Sequence, residues 1–414
     1  MQSAYYHRST CRLCGGAALK KVLALAPTPP ANAFVTAAEL AVPQPLLPLD
    51  IWLCGGCGHV QLLDVVDPRI LYTHYLYVSG TSPVFVRHFE QYADSIRKEF
   101  KPPPGSLVVD IGSNDGTLLR FFKERGHRIL GVDPAEEISD ASRRAGIPTL
   151  TAFFDEALAQ QIAREHGRAA VVTANNLVAH IDDIGSFMRG VAKLLAPDGV
   201  FAFEVSYLVD VFENTLFDTM YHEHLDYHTV EPLVTFFAAC GVQLIEALRV
   251  DTHGGSLRGV VQLAGGPRKV GVSVAALVAR ENELRLRDPA TLEAFGARIG
   301  KVGSELTALL RKLKREGKRI AGFGAPAKLT TLLYHLGITP DLIDFVVDDS
   351  PLKQGRYTPG MHIPVLPAQA LYEHKVDYTV ILAWNFAEPI MKKHSAWREA
   401  GGRFVVPLPS VQVF

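Results

Sequence analysis

No stretch of about 18 uninterrupted apolar residues occurs anywhere in the 414-residue chain, so no segment reads as a membrane-spanning helix. The opening residues, Met1 to Gly16, contain no apolar run of signal-peptide length, and a cytoplasmic protein without a membrane partner is the expectation. An excess of charge is missing too. The 42 basic and 43 acidic side chains give a net charge of −1, which supplies no broad field to hold DNA or RNA. Repeats at solenoid periods and low-complexity tracts are absent. Cysteine is scarce at five residues, too few and too clustered for a disulfide framework. What remains is a globular balance, 48% apolar and 21% charged, over a length that suits two or three domains. The sequence carries no signal of assembly, and a monomer is the reading favoured.

Four of the five cysteines form two close pairs, Cys11-Arg12-Leu13-Cys14 and Cys54-Gly55-Gly56-Cys57. Two thiolates separated by two residues bind one ion from a single tight turn, and the flanking glycines permit that turn. Four soft ligands fill a tetrahedron and leave no open position for water, so a structural zinc is expected on Cys11, Cys14, Cys54 and Cys57. Cys240 stands alone at the apolar end of a helical pattern before Gly241 and reads as a buried, inert thiol.

After Pro102-Pro103-Pro104-Gly105 the texture changes to alternating apolar strands and amphipathic helices, which predicts a parallel, doubly wound sheet. Leu107–Ile111 reads as a strand, Gly116 to Arg125 as a helix and Ile129–Asp133 as the next strand. Further units follow through Val205. Two charged helical stretches occupy Val272 to Gly317, and a second alternating unit begins at Arg319. The fold class is therefore α/β with two nucleotide-binding sheets behind a zinc module.

In Asp110-Ile111-Gly112-Ser113-Asn114-Asp115-Gly116 a strand enters a glycine turn that opens a helix, at the sheet edge where ligands bind. Asp133 ends the next strand 23 residues later, placed to accept hydrogen bonds from ribose hydroxyls. Dehydrogenases share such a turn. The acidic residue before it is the mark of class I methyltransferases, whose usual pattern is an acid followed by Gly-x-Gly-x-Gly; here Asn114 replaces the middle glycine.

The densest polar cluster is Tyr221-His222-Glu223-His224-Leu225-Asp226-Tyr227-His228. A histidine there can serve as base near neutrality, with a neighbouring carboxylate or phenol to orient it. The competing readings are a metal site, for which no HExxH spacing is present, and a structural polar segment. Read alone, Tyr75 is an aromatic packing residue and His180 precedes a helix capped by Asp182 and Asp183.

These segments, with ANNLVAHIDD, THGGSLR, GFGAPAK and DDSPLKQGRYTPGMHIPV, occur in an order that resembles the sugar C-methyltransferases acting on nucleotide-linked 4-keto-deoxyhexoses in antibiotic sugar pathways. The likeness spans almost the entire chain. It implies a zinc-binding domain over 1–74, an S-adenosylmethionine-dependent methyltransferase domain over 75–265 and a nucleotide-sugar-binding Rossmann-like domain over 266–414. It also implies a methyl donor on Asp110, Gly112, Asn114, Asp133, Asn175 and Asn176. The implied catalytic set is Tyr221, Glu223 and His224 with Tyr75 and His180. His224 is then the expected base, supported by Glu223, with Tyr221 and His180 holding the oxygen that becomes negative.

Gly322-Phe323-Gly324-Ala325-Pro326-Ala327 imitates a dinucleotide fingerprint and raises an NAD-dependent oxidoreductase as an alternative, which Pro326 weakens. The resemblance instead assigns Gly324 and Lys328 to the nucleotide sugar, a dTDP sugar by preference. Arg258, Lys353, Arg356, Tyr357, Trp384 and Asn385 would complete that pocket. A zinc-bearing RNA methyltransferase would require a basic face and an Asn/Asp-Pro-Pro-aromatic motif, whereas the strand end reads Ala174-Asn175-Asn176-Leu177.

Overall fold

The computed structural model of the chain describes residues 5–72, 79–81, 83–252 and 254–414. Tyr75 lies outside the described residues. Among those described, no helix is long and apolar enough to cross a membrane.

The amino-terminal strands are β1 (Tyr5–His7), β2 (Leu19–Thr28), β3 (Leu47–Cys54), β4 (Val60–Leu62) and β5 (Asp64–Val66). In β3 the residues alternate between buried and half-buried, the pattern of a sheet with one face on a core. β1 pairs with β5, while β2, β3 and β4 form an antiparallel meander. The fourth strand of this sheet comes from far along the chain. It is β11 (Asp226–Tyr227), which pairs with β4 through Asp226 opposite Gln61 and Tyr227 opposite Val60.

The central sheet has seven strands in the order β12-β13-β10-β9-β6-β7-β8. Its members are β6 (Leu107–Ile111), β7 (Arg128–Val132), β8 (Thr149–Leu150), β9 (Ala169–Asn175), β10 (Leu195–Ser206), β12 (Val242–Val250) and β13 (Ser256–Leu263). Strands β6 to β10 run parallel, and β13 is antiparallel to both β10 and β12. All five residues of β6 are buried, as expected of a central strand covered by helices on both faces.

The third sheet has the order β16-β15-β14-β17-β18-β19, from β14 (Ile320–Phe323), β15 (Phe345–Val347), β16 (Val365–Leu366), β17 (Tyr378–Ile381), β18 (Arg403–Val406) and β19 (Gln412–Val413). Only β19 is antiparallel to its neighbour. The two charged stretches are helices over Val272–Glu283 and Pro289–Arg315, the second capped by Asp288. One hydrophobic core runs through all three parts, from Leu49 and Ile51 through Phe201 and Phe203 to Leu332 and Val380. Cys240 does follow a helix, Val230–Ala239, but it is half-buried.

Candidate active site

The segment between the helix Leu208–Glu213 and strand β11 makes no long regular element, so its side chains are fixed by hydrogen bonds. A carbonyl only accepts, so the 2.7 Å contact between His224 Nδ1 and the Thr219 carbonyl requires Nδ1 to carry the proton. Nε2 then presents its lone pair, and the Tyr221 hydroxyl donates to it at 3.0 Å. The two rings pack with centroids 4.2 Å apart. Burial pushes the His224 pKa down to about 4, so the imidazole is neutral at pH 7. His180 lies 5.0 Å from it, ring centroid to ring centroid, and is stacked on Tyr72. Burial, then the neighbouring His224, holds the His180 pKa well below its ordinary value, and its Nε2 has no hydrogen-bond partner among the described residues.

Glu223 is buried and accepts from Asn32 Nδ2 at 2.7 Å. Its charge also reaches Lys353, whose pKa burial lowers and whose Nζ donates to the Ala325 carbonyl at 2.8 Å. The other two histidines of the segment are structural. His222 donates through Nε2 to the Pro48 carbonyl at 3.0 Å. His228 is fully buried with its ring centroid 5.6 Å from that of His59, which itself bonds Asp226 at 2.6 Å.

Around the first glycine turn, Gly112 and Asn114 both take positive φ, +72° and +49°. A Cβ on Gly112 would stand 3.2 Å from the Leu177 side chain, so glycine keeps the turn open. Asp133 accepts from the amides of Asn114 and Ala135, each at 2.9 Å, and so sets the loop's shape. The Asn114 side chain accepts from the Ser79 amide at 2.9 Å, drawing residues 79–81 over the turn. Asp110 lies below, bonded by the Thr173 hydroxyl at 2.6 Å, its pKa raised by burial to about 7. At the end of β9 the buried polar atoms of the Asn175 carboxamide have no hydrogen-bond partner among the described residues, and Asn176 has a φ of +53°. The turn, two carboxylates and two asparagines offer the donors and acceptors a polar nucleoside requires.

The four sulfur atoms of Cys11, Cys14, Cys54 and Cys57 lie within 4.8 Å of one another. Cys11 approaches Cys57, and Cys14 approaches Cys54, each at 3.6 Å. Four converging thiols with no disulfide fit one tetrahedral zinc ion.

On the carboxyl-terminal side, Lys328 donates to Asn385 Oδ1 at 2.7 Å and lies over the Trp384 ring, 3.4 Å from its centroid. Burial lowers its pKa to about 8, against the opposing charge of Asp218. Gly324 has a φ of +90° and packs against Ala383, where a Cβ would come within 2.5 Å of the alanine methyl. Tyr357 exchanges backbone hydrogen bonds with Val35 at 3.1 and 2.8 Å, which seats the Lys353–Arg356 turn on the zinc module. Arg258 is not brought to this cluster. Its guanidinium is paired with Glu204 at 2.5 Å and lies over Tyr92 beneath the helix Pro83–Phe100, because β13 places it on the central sheet.

Three family models match successive parts of the chain: a zinc binding domain over residues 11–72, a methyltransferase domain over 85–247 and a C-methyltransferase C-terminal domain over 251–409. C-methyltransferase NovU of Streptomyces niveus is 35% identical over 403 residues, covering 97% of this chain and 96% of NovU. This chain belongs to the C-methyltransferase family that its motifs resemble. A ubiquinone biosynthesis O-methyltransferase of Azorhizobium caulinodans is 32% identical over 118 residues, 28% of this chain and 45% of that enzyme. An S-adenosylmethionine-dependent methyltransferase structure from Clostridium acetobutylicum aligns at a TM-score of 0.35 and 13% identity, covering 43% of this chain and 92% of its own.

As a C-methyltransferase the protein uses S-adenosylmethionine, with zinc as a structural ion in its first domain. Sequence reading singled out neither Asn32, which holds Glu223, nor Asp218, which holds Trp384. Asn32 follows Pro27, Pro29 and Pro30 in the connection between the two cysteine pairs, where no motif marks it. Asp218 precedes the polar cluster by three residues and carries no spacing of its own. His59, two residues beyond Cys57, is bonded to Asp226 and stands outside the four-sulfur cluster.

Proposed function

We propose that this C-methyltransferase transfers the methyl group to C-3′, the carbon beside the ketone, of a dTDP-linked 4-keto-deoxysugar. The observation that carries the reading is the Tyr221–His224 pair: a buried imidazole locked as the Nδ1–H tautomer, with a phenol on its free nitrogen. A carbon beside a ketone loses its proton only if a base takes it while a donor meets the oxygen that becomes negative. In this reading the Tyr221 hydroxyl swings from His224 Nε2 to the sugar oxygen. The same movement frees the Nε2 lone pair for the C-3′ proton. Glu223 supports the imidazolium that results, and His180, neutral and with an Nε2 that has no partner among the described residues, adds a second group at the oxygen. Bound S-adenosylmethionine supplies an electrophilic sulfonium methyl to the carbon. Asp110, Gly112, Asn114, Asp133, Asn175 and Asn176 hold this donor, and Tyr75 joins the catalytic set.

Lys328, Trp384 and Asn385 hold the diphosphate side of the sugar nucleotide, with Gly324, Lys353, Arg356 and Tyr357 around them. Support for that assignment comes from the buried Lys328 ammonium at the carboxyl edge of the third sheet, the edge where open α/β sheets take ligands.

The test is incubation with methyl-labelled S-adenosylmethionine and a panel of nucleotide 4-keto sugars, with the new methyl located by NMR. His224→Asn is expected to lower kcat by at least about 10²-fold while leaving donor affinity within twofold. Near-wild-type turnover by His224→Asn removes it as the base. Methylation confined to oxygen, or to sugars lacking the ketone, defeats the substrate assignment.

A further inference from the structure

The Trp384 indole is held from three directions by two parts of the molecule. Its Nε1–H donates to Asp218 Oδ2 at 2.6 Å, and its face carries the Lys328 ammonium at 3.4 Å. Gly254 passes the far edge so closely that a Cβ there would lie 2.7 Å from the ring. Asp218 and Gly254 belong to the methyltransferase part, whereas Trp384 and Lys328 belong to the third sheet.

Two features show that this cluster is more than an interface contact. Asp218 is fully buried, yet its Oδ1 has no hydrogen-bond partner among the described residues. The Lys328 ammonium has three N–H donors, of which one meets Asn385 and another the ring. A buried donor left over calls for an acceptor oxygen. Among the described residues no ion pair joins Lys328 to Asp218, so besides the attraction of the two charges across space the carboxylate acts on the ammonium through the indole between them. A carboxylate that accepts the indole proton enriches the ring in electrons, and a richer ring face holds a cation more firmly.

Asp218 has a second connection. It is the middle residue of the single turn Phe217–Thr219, and the Thr219 carbonyl accepts the Nδ1–H of His224 at 2.7 Å. One short turn therefore carries both the contact to Trp384 and the contact that fixes the tautomer of the imidazole.

We propose that Asp218 is a positioning residue that couples phosphate recognition at Lys328 to the orientation of His224. It rests on the reading above that Lys328 takes the diphosphate of the sugar nucleotide. A phosphate oxygen on the spare Lys328 donor shifts the ammonium on the ring face. Trp384 passes that shift to Asp218, and the turn passes it to the Thr219 carbonyl. Substrate arrival and imidazole alignment thus become one event.

The experiment uses the full chain with zinc bound and thymidine 5′-diphosphate as probe. The protein has three tryptophans, so ¹⁵N-labelled indoles give three resolvable signals, with Trp384 assigned by Trp384→Phe. In the wild type, the diphosphate is expected to move the Trp384 indole signal and the His224 Nδ1–H signal together. Asp218→Asn keeps an acceptor for the indole but removes the charge. It is expected to weaken diphosphate binding about tenfold, raise KM for the sugar nucleotide and lower kcat by similar factors, and uncouple the two signals. S-adenosylmethionine affinity and melting temperature should stay near wild type.

Diphosphate binding and signal coupling preserved in Asp218→Asn overturn the proposal while leaving the substrate reading intact. So does a rise in KM with kcat unchanged, or a general loss that includes donor binding. If the wild-type Trp384 signal ignores the diphosphate and Lys328→Met binds it equally well, the reading of the Lys328 site fails first, and the coupling with it.

Discussion

Asp110 shows how a residue at the proposed donor site can oppose the stability of the fold that presents it. Its carboxyl is buried at 4% exposure and accepts from the Thr173 hydroxyl at 2.6 Å. Burial, followed by that hydrogen bond and the nearby Asp133, leaves its pKa at about 7. A pKa raised above the unfolded value means stability that is full below about pH 4 and lost as pH climbs through 7. Asp110→Asn removes that loss and keeps an acceptor for Thr173. The variant is expected to melt higher than wild type at pH 8, with the gain fading towards pH 5, while S-adenosylmethionine affinity falls. Melting curves at the two pH values and donor titration check both signs. His224 has the reverse dependence. A histidine whose folded pKa is lowered to about 4 loses stability as pH falls from about 6.5 towards 4, because the unfolded chain takes up the proton first.

At the scale of elements, the two Rossmann-like units share one device. In the first, Asp133 at the end of β7 accepts the amides of Asn114 and Ala135, each at 2.9 Å; in the second, Asp348 after β15 accepts those of Ala325 and Ser350 at 2.6 and 2.8 Å. Both acids shape the glycine turn that opens the first helix. The zinc module works differently, since its sheet is closed by β11 and its His59 is bonded to Asp226 of that strand. Zinc therefore organises the strand that follows His224. Cys54→Ser is expected to lose the metal, measured by elemental analysis. It should also speed hydrogen exchange at the amides of Asp226 and Tyr227, with the exchange at Val171 and Val172 in β9 unchanged. Protection of β11 in the metal-free protein contradicts this.

Across the whole molecule the proposed site draws on all three parts, and Asn32 is the clearest instance. It reaches from the zinc module to Glu223 at 2.7 Å. Asn32→Ala is expected to lower kcat about tenfold, equivalent to ~1.4 kcal/mol, consistent with loss of a hydrogen bond to a charged group. Asn32→Asp should cost more, because it sets a second carboxylate against Glu223, and donor affinity should hold in both. Steady-state kinetics with donor titration decide this.

That dispersal explains what was legible beforehand. The zinc knuckles, the strand-turn-helix of Leu107–Glu124 and the helices around Val272–Arg315 are local, and their spacing carried them. The histidine cluster was visible as composition, but its division of labour was not. Which imidazole faces Tyr221 and which meets Pro48 or His59 depends on partners more than 100 residues away in sequence for His222 and His228. Arg258 misled for the same reason: a basic residue in a motif-bearing segment gives no clue that Glu204 already neutralises it.

The origin of β11 has a consequence for synthesis. The zinc knuckles leave the ribosome about 170 residues ahead of Asp226 and Tyr227, so the ion can load while β4 still has one open side. Until the later strand arrives, Val60, Gln61 and Leu62 present unpaired amides and carbonyls on an apolar rim, which invites pairing with another nascent chain. A fragment ending near residue 72 would keep that exposed rim permanently and clump, whereas one extended past Tyr227 would carry its own cover.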